Sequence, residues 1–344
     1  MRHQSSAALN ESGFNRSKRR LFGYAAVLAA AATLFGHAPA FAENYPNKAV
    51  RVVVPFPAGG SSDTAARIIT KGLAEVLKQS FVVENKAGAA GTIGVASVIR
   101  STPDGYTLGE GPVGATIIAK LIGIPAPYDP VKEILPIGNI GSLPLVFAVK
   151  GDLPVNNLAD LVALAKSKPG ALSYGTSGAG TPGHLAFEYF KKIAGLDILH
   201  VPYKGDAPLT TDLLGGQVDL GILTGPAAVA QAKSGKIKFL AVTSGERYPQ
   251  MGNVPTLVES GYKDFSIEIW NLLFAPAGTD PKVLTTISSA MNTVLGQAET
   301  KATLAAQGYL PSVIMTPEET TAFVAKDRKL WETIVNTTGV KVGS

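Results

Sequence analysis

The stretch Pro55-Phe56-Pro57-Ala58-Gly59-Gly60-Ser61-Ser62-Asp63 decides the fold, because it joins an apolar run to an amphipathic pattern. The run from Ala49 to Val54 is typical of a strand buried on both faces, as in parallel sheets. Apolar residues at helical spacing follow, namely Ala65, Ala66, Ile68, Ile69, Leu73, Val76 and Leu77. A turn rich in proline and glycine between them brings backbone N–H groups to a helix N-terminus, which favours an anion. The simpler alternative is that Ser61, Ser62 or Asp63 caps the helix and the glycines only form the corner.

Residues 1–42 have the pattern of an export signal. A basic region ending at Arg20 precedes the alanine-rich apolar segment Leu21 to Gly36, and Ala40-Phe41-Ala42 is a cleavage motif. The apolar segment is short for a membrane span, which needs about 20 residues. The sequence therefore predicts cleavage after Ala42 and a periplasmic protein. Lys18-Arg19-Arg20-Leu21-Phe22 also resembles a twin-arginine signal, so the Sec and twin-arginine routes both stay open.

The charge balance of the mature chain gives no reason to expect nucleic-acid binding. Removal of residues 1–42 takes away five basic side chains and one acid, so the net charge of +5 falls to about +1. The chain contains no cysteine, which excludes disulfides, a lipoprotein anchor and thiolate metal sites. About 300 residues are enough for a sizeable core and for two lobes.

Strand-like and helical patterns alternate along the chain, which predicts an α/β architecture with mostly parallel sheets. The predicted strands are Val50–Val54, Phe81–Glu84, Thr107–Gly109, Leu145–Val149, Leu172–Tyr174, Ile198–Tyr203, Val218–Leu223, Lys238–Val242 and Ile267–Ala275. Two helices carry clear start signals, with Asn156 or Asn157 before Leu158 and the capping box Thr316-Pro317-Glu318-Glu319 before the last helix.

Two segments are predicted to cross between lobes, one at 143–149 and one at 241–244. If these are hinges, lobe 1 is discontinuous. It then comprises residues 43–146 plus 247–344 and closes on lobe 2, residues 147–246.

A second glycine-rich stretch, 173–188, again joins a strand to a helix. Its residues Gly178, Gly180 and Gly183 match G-x-G-x-x-G, but the next strand lacks an acid at its carboxyl end, which argues against dinucleotide binding. Ala179 stands where a G-x-S-x-G hydrolase motif needs glycine. His184 and His200 have no carboxylates at metal-ligand spacing; His184 is placed near the cleft and His200 in the core. We therefore predict no enzyme, no cofactor and no metal, and instead two anion-binding loops that hold a carboxylate from both sides.

These residues resemble the substrate-binding proteins of tripartite tricarboxylate transporters, the Bug or TctC-type family, over nearly the whole mature chain. The resemblance rests on several motifs in one order, which are Val52 to Gly60, Val83 to Gly91, Pro103 to Leu108, Gly175 to Glu188, His200 to Gly205, Leu213 to Asp219, Leu240 to Ser244 and Leu273 to Thr279.

The resemblance implies a type II periplasmic binding protein with two α/β lobes, two hinge crossings and a ligand cleft between the lobes. It implies a small carboxylate ligand and its delivery to a membrane permease. We expect a mono- or dicarboxylate with an aliphatic or aromatic body, and a monomeric protein. In this family the ligand is held largely by backbone amides of the two loops. The predicted ligand-binding residues are Phe56, Ala58, Gly59, Gly60, Ser61, Asp63, Gly114, Ser177, Gly178, Ala179, Gly180, Thr181, His184, Tyr203, Thr224 and Trp270.

The chain departs from the family pattern where ligand identity would be set. The segment 111–116 replaces a loop rich in Ser and Thr, Leu223-Thr224 stand where Asp-Asn is frequent, and Asn271-Leu272 replace an aromatic residue and glycine. Because an ammonium group would lack an acidic partner, we expect plain carboxylates to be preferred over α-amino acids, and Leu223→Asp to reverse that preference. A periplasmic ligand sensor, or a nucleotide-dependent enzyme that uses the same loops, stays open as an alternative.

Overall fold

The computed structural model describes residues 45–342. The predicted signal segment and its cleavage site at Ala42 lie outside the described residues. Nine strands form one mixed sheet: β1 Val50–Val54, β2 Phe81–Asn85, β3 Thr107–Pro112, β4 Ile134–Lys150, β5 Ser173–Thr176, β6 Leu199–Pro202, β7 Leu220–Thr224, β8 Ile237–Val242 and β9 Glu268–Pro276. Each contains or overlaps one predicted strand.

The helices flank this sheet: α1 Ser61–Leu77, α2 Thr92–Ile99, α3 Ala119–Leu121, α4 Leu158–Ser167, α5 Pro182–Ala194, α6 Asp206–Leu214, α7 Gly225–Gln231, α8 Pro281–Gly296, α9 Ala298–Ala306 and α10 Pro317–Thr338. A π-helical turn, Gly114–Ile118, leads into α3, and 3₁₀ turns occupy Ala89–Gly91 and Pro249–Met251. Within residues 45–342, none of these helices has the length and apolarity needed to cross a bilayer.

The two helix starts predicted from the sequence are confirmed. Asn157 caps α4 by accepting the Asp160 N–H, and Thr316 forms the complete capping box of α10 with Glu319. On the inward face of α10, Trp331 and Ile334 are fully buried.

The strand order is β2-β1-β3-β9-β4-β7-β5-β6, with β8 paired to β4. The pairs β1–β2, β1–β3, β5–β6 and β5–β7 are parallel, whereas β4 and β9 make only antiparallel pairs among the described strands. The expectation of mostly parallel sheets is therefore wrong for the centre. The two parallel groups run in opposite directions, so the strands between them cannot be parallel to both.

The long strand β4 brings the two parallel groups end to end. The last residue of β3, Pro112, lies opposite Asn271 of β9, and Asn271 lies opposite Gly141 of β4. The last residue of β7, Thr224, lies opposite Leu145 of β4. Four residues of strand separate these two levels, or about 13 Å. The carboxyl ends of both parallel groups therefore point toward the same part of the molecule, around Pro144.

Hydrophobic residues on the two faces of β4 belong to separate clusters. Phe147 packs edge-on against Phe187 and Phe190 of α5. Its neighbours Val146 and Ala148 point to the opposite face and join a cluster with Leu209, Leu213, Leu223 and Tyr248. The first predicted crossing is thus packed against hydrophobic core on each face.

The second predicted crossing is tied to the first by one buried threonine. The hydroxyl of Thr243 accepts the Leu145 N–H at 2.9 Å and donates to the Ile267 carbonyl at 2.6 Å. Its backbone N–H donates to Leu145 O, and its carbonyl accepts the Ile267 N–H. Both chain segments between the two halves of the sheet are therefore joined side by side at Thr243.

Candidate functional site

The first loop, residues 55–60, leaves the carboxyl end of β1 and enters α1 through Gly60, which is the N-cap residue. Gly59 has a positive φ of 85°, a conformation that favours glycine. The alternative in which Ser61, Ser62 or Asp63 caps the helix is wrong, because no side chain caps α1. Within residues 45–342, the backbone N–H groups of Ser61 and Ser62 have no hydrogen-bond acceptor. They remain available to an anion, as the dipole of this 17-residue helix favours.

Asp63 stiffens this loop from the first turn of α1. Its buried carboxylate accepts the Gly59 N–H at 2.9 Å, the Asn85 side-chain amide at 2.9 Å and the Arg67 guanidinium at 2.9 Å. The hydrogen bond from Arg67 is the main reason that the pKa of Asp63 falls to about 2. The same Asn85 amide donates to the Phe56 carbonyl. Asp63 therefore has its partners within the protein, whereas Ala58, Gly59, Gly60 and Ser61 are exposed.

The second loop, Ser177 to Thr181, leaves the carboxyl end of β5 and enters α5. Thr181 is the N-cap of α5, and its hydroxyl donates to the Gly178 carbonyl at 2.7 Å. Gly180 has a φ of 73°, and its N–H donates to Nδ1 of His184 at 3.0 Å. Ala179 is exposed, and in the part of the chain described its N–H has no acceptor.

Two neutral histidines contact the second loop and the end of β5 that precedes it. The rings of His184 and His200 stack with centroids 3.9 Å apart, and Tyr174 stacks on the other side of His200. Burial lowers the pKa of both histidines, that of His200 to about 4. The His200 Nε2 lies 2.8 Å from the Thr176 hydroxyl. His184 therefore contacts the second loop. His200 is a hydrogen-bonded, half-buried strand residue rather than the core residue predicted.

A third group of predicted residues lies at the ends of β6 and β7. Tyr203 donates its hydroxyl to Asp212 at 2.8 Å. The Thr224 hydroxyl donates to Oδ2 of Asp206 at 2.6 Å. The Gly205 N–H donates to the Ser177 carbonyl, which joins this group to the second loop.

Leu223 and Thr224 have contacts that differ from those the sequence predicted. Leu223 is 0% exposed and packs with Leu209 and Leu213, so Leu223→Asp would damage the core rather than change ligand preference. The premise that no acid lies near Thr224 is also wrong, because Asp206 contacts its hydroxyl. Asp206 was missed because only the fold brings it to Thr224.

A buried polar cluster lies behind the first turn of α1. The Asn271 side-chain amide donates to the Ser62 hydroxyl at 3.0 Å and to Oε1 of Glu110. Burial raises the pKa of Glu110 to about 8, so this carboxyl group is mostly neutral at pH 7. The Tyr309 hydroxyl donates to the Ser61 carbonyl at 3.2 Å. None of Glu110, Asn271, Ser62 and Tyr309 was predicted as a site residue.

The side chain of Trp270 contacts α10. Trp270 precedes Asn271 in β9, so its side chain points to the opposite face of the sheet. Its indole N–H donates to Asp327 at 2.6 Å, and its ring packs edge-on against Phe323 of α10. These three residues line a separate groove of about 520 Å³. The prediction of Trp270 as a ligand residue therefore finds no support in its contacts.

Other contacts bring the two groups of loops together. A Cβ atom placed on Gly180 would lie 2.6 Å from Ile122, just after α3, and one on Gly308 would lie 2.6 Å from Pro226 at the start of α7. Gly308 precedes Tyr309, which contacts Ser61. Gly114 opens the π-helical turn with nothing within 4 Å of an added Cβ.

Across residues 45–342, no group of His, Asp and Glu is arranged to hold a metal ion.

Comparison with known proteins places this chain among receptors of one transporter type. A family model described as "Tripartite tricarboxylate transporter family receptor" matches residues 65–340. BugT of Bordetella pertussis is 36% identical over 306 residues, which cover 89% of this chain and 94% of BugT.

Two solved structures share both fold and sequence with this chain. The R. palustris protein Rpa4515, solved with adipate, is 34% identical with a TM-score of 0.76, covering 86% of this chain and 99% of that one. MatC (Rpa3494) from Rhodopseudomonas palustris, solved with bound malate, is 29% identical with a TM-score of 0.71, covering 85% of this chain and 100% of that one.

Proposed function

This chain belongs to the tripartite tricarboxylate transporter receptor family, and on that premise we propose that it captures a small carboxylate and delivers it to a membrane permease. Members of this family are periplasmic solute-binding proteins. Export of this chain through the signal at residues 1–42 and its action as a monomer are parts of the same proposal. The cleft is formed by lobe 1, residues 43–146 plus 247–344, and lobe 2, residues 147–246.

The observation that carries this proposal is the pair of unused backbone N–H groups at Ser61 and Ser62. They lie at the N-terminus of α1, at the carboxyl end of a parallel strand group, where α/β proteins bind ligands. The second loop adds the exposed Ala179 N–H from the facing group. Neither loop places a lysine or arginine at its exposed amides, so helix dipoles and N–H groups supply the positive potential.

The ligand class follows from this potential and from two relatives. Rpa4515 was solved with adipate and MatC with malate, which are both small dicarboxylates. A carboxylate at the first loop matches the amides of Ser61 and Ser62, and the second loop holds the ligand's other end. We infer that the ligand is a mono- or dicarboxylate with an aliphatic or aromatic body.

Thermal unfolding of the purified protein against a panel of aliphatic and aromatic carboxylates tests this function. A true ligand at a hundredfold excess over its Kd should stabilise the protein by about 2.7 kcal/mol. The uncharged amide of the same acid is the matched control and should give no shift. If no carboxylate raises the unfolding temperature, or if acid and amide raise it equally, the proposed function is wrong.

A further inference from the structure

Two buried side-chain oxygens within residues 45–342 have no hydrogen-bond partner, Oε2 of Glu110 and Oδ1 of Asp206. Buried polar atoms in native proteins are almost always paired, so an unpaired one calls for an explanation. For Glu110, part of that explanation is that its carboxyl group is mostly neutral at pH 7. Asp206 lies instead in a half-buried position at the ligand-facing ends of the strands.

The position of Asp206 links it to both the second loop and Thr224. Asp206 is the first residue of α6, directly after Gly205, whose N–H donates to the Ser177 carbonyl. Its Oδ2 accepts the Thr224 hydroxyl at 2.6 Å, and Thr224 is the last residue of β7. β6 and β7 both lie parallel to β5, so these residues share the edge from which the second loop emerges.

The chemistry of the free oxygen defines what it needs. Thr224 offers this carboxylate both its backbone N–H and its hydroxyl, whose single proton is donated to Oδ2, and Oδ1 still has no partner. No lysine, arginine or histidine of the described chain forms an ion pair with Asp206. Burial raises the pKa of Asp206, which agrees with a carboxylate that has lost water without gaining a full set of donors. Within the part of the chain described, no donor reaches Oδ1, which leaves this oxygen to a donor group from outside the protein.

We propose that Asp206 is a specificity-determining residue that accepts a hydrogen bond from a hydroxyl or ammonium group of the ligand. The preferred ligand is then a hydroxy- or amino-carboxylate rather than a plain one. Its carboxylate binds at the exposed loop amides, and its donor group reaches Oδ1 of Asp206. This inference rests on the proposed function and replaces the preference for plain carboxylates that the sequence suggested.

Calorimetry with succinate, malate and aspartate tests the inference, because these acids share four carbons and differ in one substituent: hydrogen, hydroxyl or ammonium. The corresponding five-carbon series covers a longer site. In one series the wild type should bind the hydroxy or amino acid at least about tenfold more tightly than the plain diacid. Asp206→Ala should bring the three affinities to within about threefold of each other.

Asp206→Asn distinguishes the two donors. Asparagine keeps an oxygen that can accept from a hydroxyl, but it lacks the charge that an ammonium group needs. If Asn restores most of the preference lost in Ala, the donor is a hydroxyl; if it does not, the donor is an ammonium. Asp160→Asn is the matched control, since Asp160 also lies in the first turn of a helix, α4, and should leave all affinities unchanged.

A measurement without ligand separates recognition from a structural role. A carboxylate oxygen kept unpaired for a ligand should not stabilise the empty protein, and asparagine keeps an acceptor for the Thr224 hydroxyl. Asp206→Asn should therefore melt at the wild-type temperature or above it. A clear loss of thermal stability in Asp206→Asn, with ligand preference unchanged, would overturn the inference. Binding of carboxylates without any preference for the donor-bearing acid would overturn it as well. If no carboxylate binds at all, both the proposed function and this inference are wrong.

Discussion

Glu110 is the most deeply buried acid near the first loop, and its ionisation should govern stability at neutral pH. Its side chain is 1% exposed, and burial raises its pKa from 4.5 to about 8. Folding thus retains a proton that the unfolded chain loses above about pH 4.5. The resulting stabilisation is complete below that pH and is lost as the pH rises through about 8.

Glu110→Gln should remove this pH dependence. Glutamine keeps an oxygen for the Asn271 amide and cannot ionise, so at pH 8.5 the variant should exceed the wild type by on the order of 2–4 kcal/mol in the free energy of unfolding. At pH 4.5 the two should be equal. Neighbouring Asp63 has a pKa of about 2 and burial raises the pKa of Tyr309, so neither titrates in this range.

Denaturant unfolding at the two pH values measures the effect of Glu110→Gln. Glu75→Gln is the control, because Glu75 is exposed on α1 and should leave the pH profile unchanged. Parallel profiles for the wild type and Glu110→Gln would show that Glu110 does not hold its proton in the folded state.

The site residues that could not be predicted from the sequence are those whose role depends on contacts with residues far away along the chain. Asn271 contacts Glu110 across 161 positions and Ser62 across 209. Each looks ordinary in its own strand or helix. One signal was present in the sequence, since an acid between Gly109 and Gly111 interrupts an otherwise apolar strand, and a buried acid there needs a partner. The glycine loops were predictable because their conformation is determined by the residues of the loops themselves.

At the level of elements, strands with uninterrupted apolar runs were predictable and β4 was only partly so. The sequence predicted 145–149, but the strand begins at Ile134. The first part contains Pro136, Gly138, Gly141 and Pro144, which are rare inside strands. The register shifts between Pro136 and Gly138 and between Asn139 and Gly141 show that bulges accommodate them. Local propensity is overridden here by pairing with β9.

The start of α1 offers a clean test of binding by backbone amides. Gly60 has extended backbone angles, and an added Cβ would meet only the Pro57 carbonyl, at 3.7 Å. Gly60→Val should therefore fold with a stability within about 1 kcal/mol of the wild type. Its side chain would cover the Ser61 and Ser62 amides, so we expect at least about a hundredfold weaker carboxylate binding, measured by calorimetry.

Arg67→Ala is the comparison for that variant. Arg67 is half-exposed and pairs with Asp63, so its loss should change carboxylate affinity by less than about threefold. Equal damage from Arg67→Ala and Gly60→Val would require a direct guanidinium contact with the ligand. Gly180→Val would be a less informative variant than Gly60→Val, because the positive φ and the closeness of Ile122 would also strain the fold.

At the scale of the whole molecule, the register of β4 and the contacts of Thr243 favour a hinge motion between the proposed lobes. Two segments, one at Leu145 and one at Thr243, connect the proposed lobes, and they lie side by side. Two adjacent crossings define one axis, about which small backbone changes close a cleft as a hinge. The loops at the facing strand ends would then approach each other when a ligand bridges them.

Distance measurements between paired spin labels test this closure, and the absence of cysteine from the chain makes labelling specific. Lys71 of α1 and Lys192 of α5 are exposed and lie in different proposed lobes. With both changed to labelled cysteine, a carboxylate that stabilises the protein should shorten and narrow the distance distribution, because it favours the closed state in proportion to its affinity for that state. The pair Lys71 and Lys132 lies within lobe 1 and should report no change. An unchanged distribution for the first pair at saturating ligand would mean that the two halves of the sheet bind as one rigid body, and the hinge assignment would be wrong.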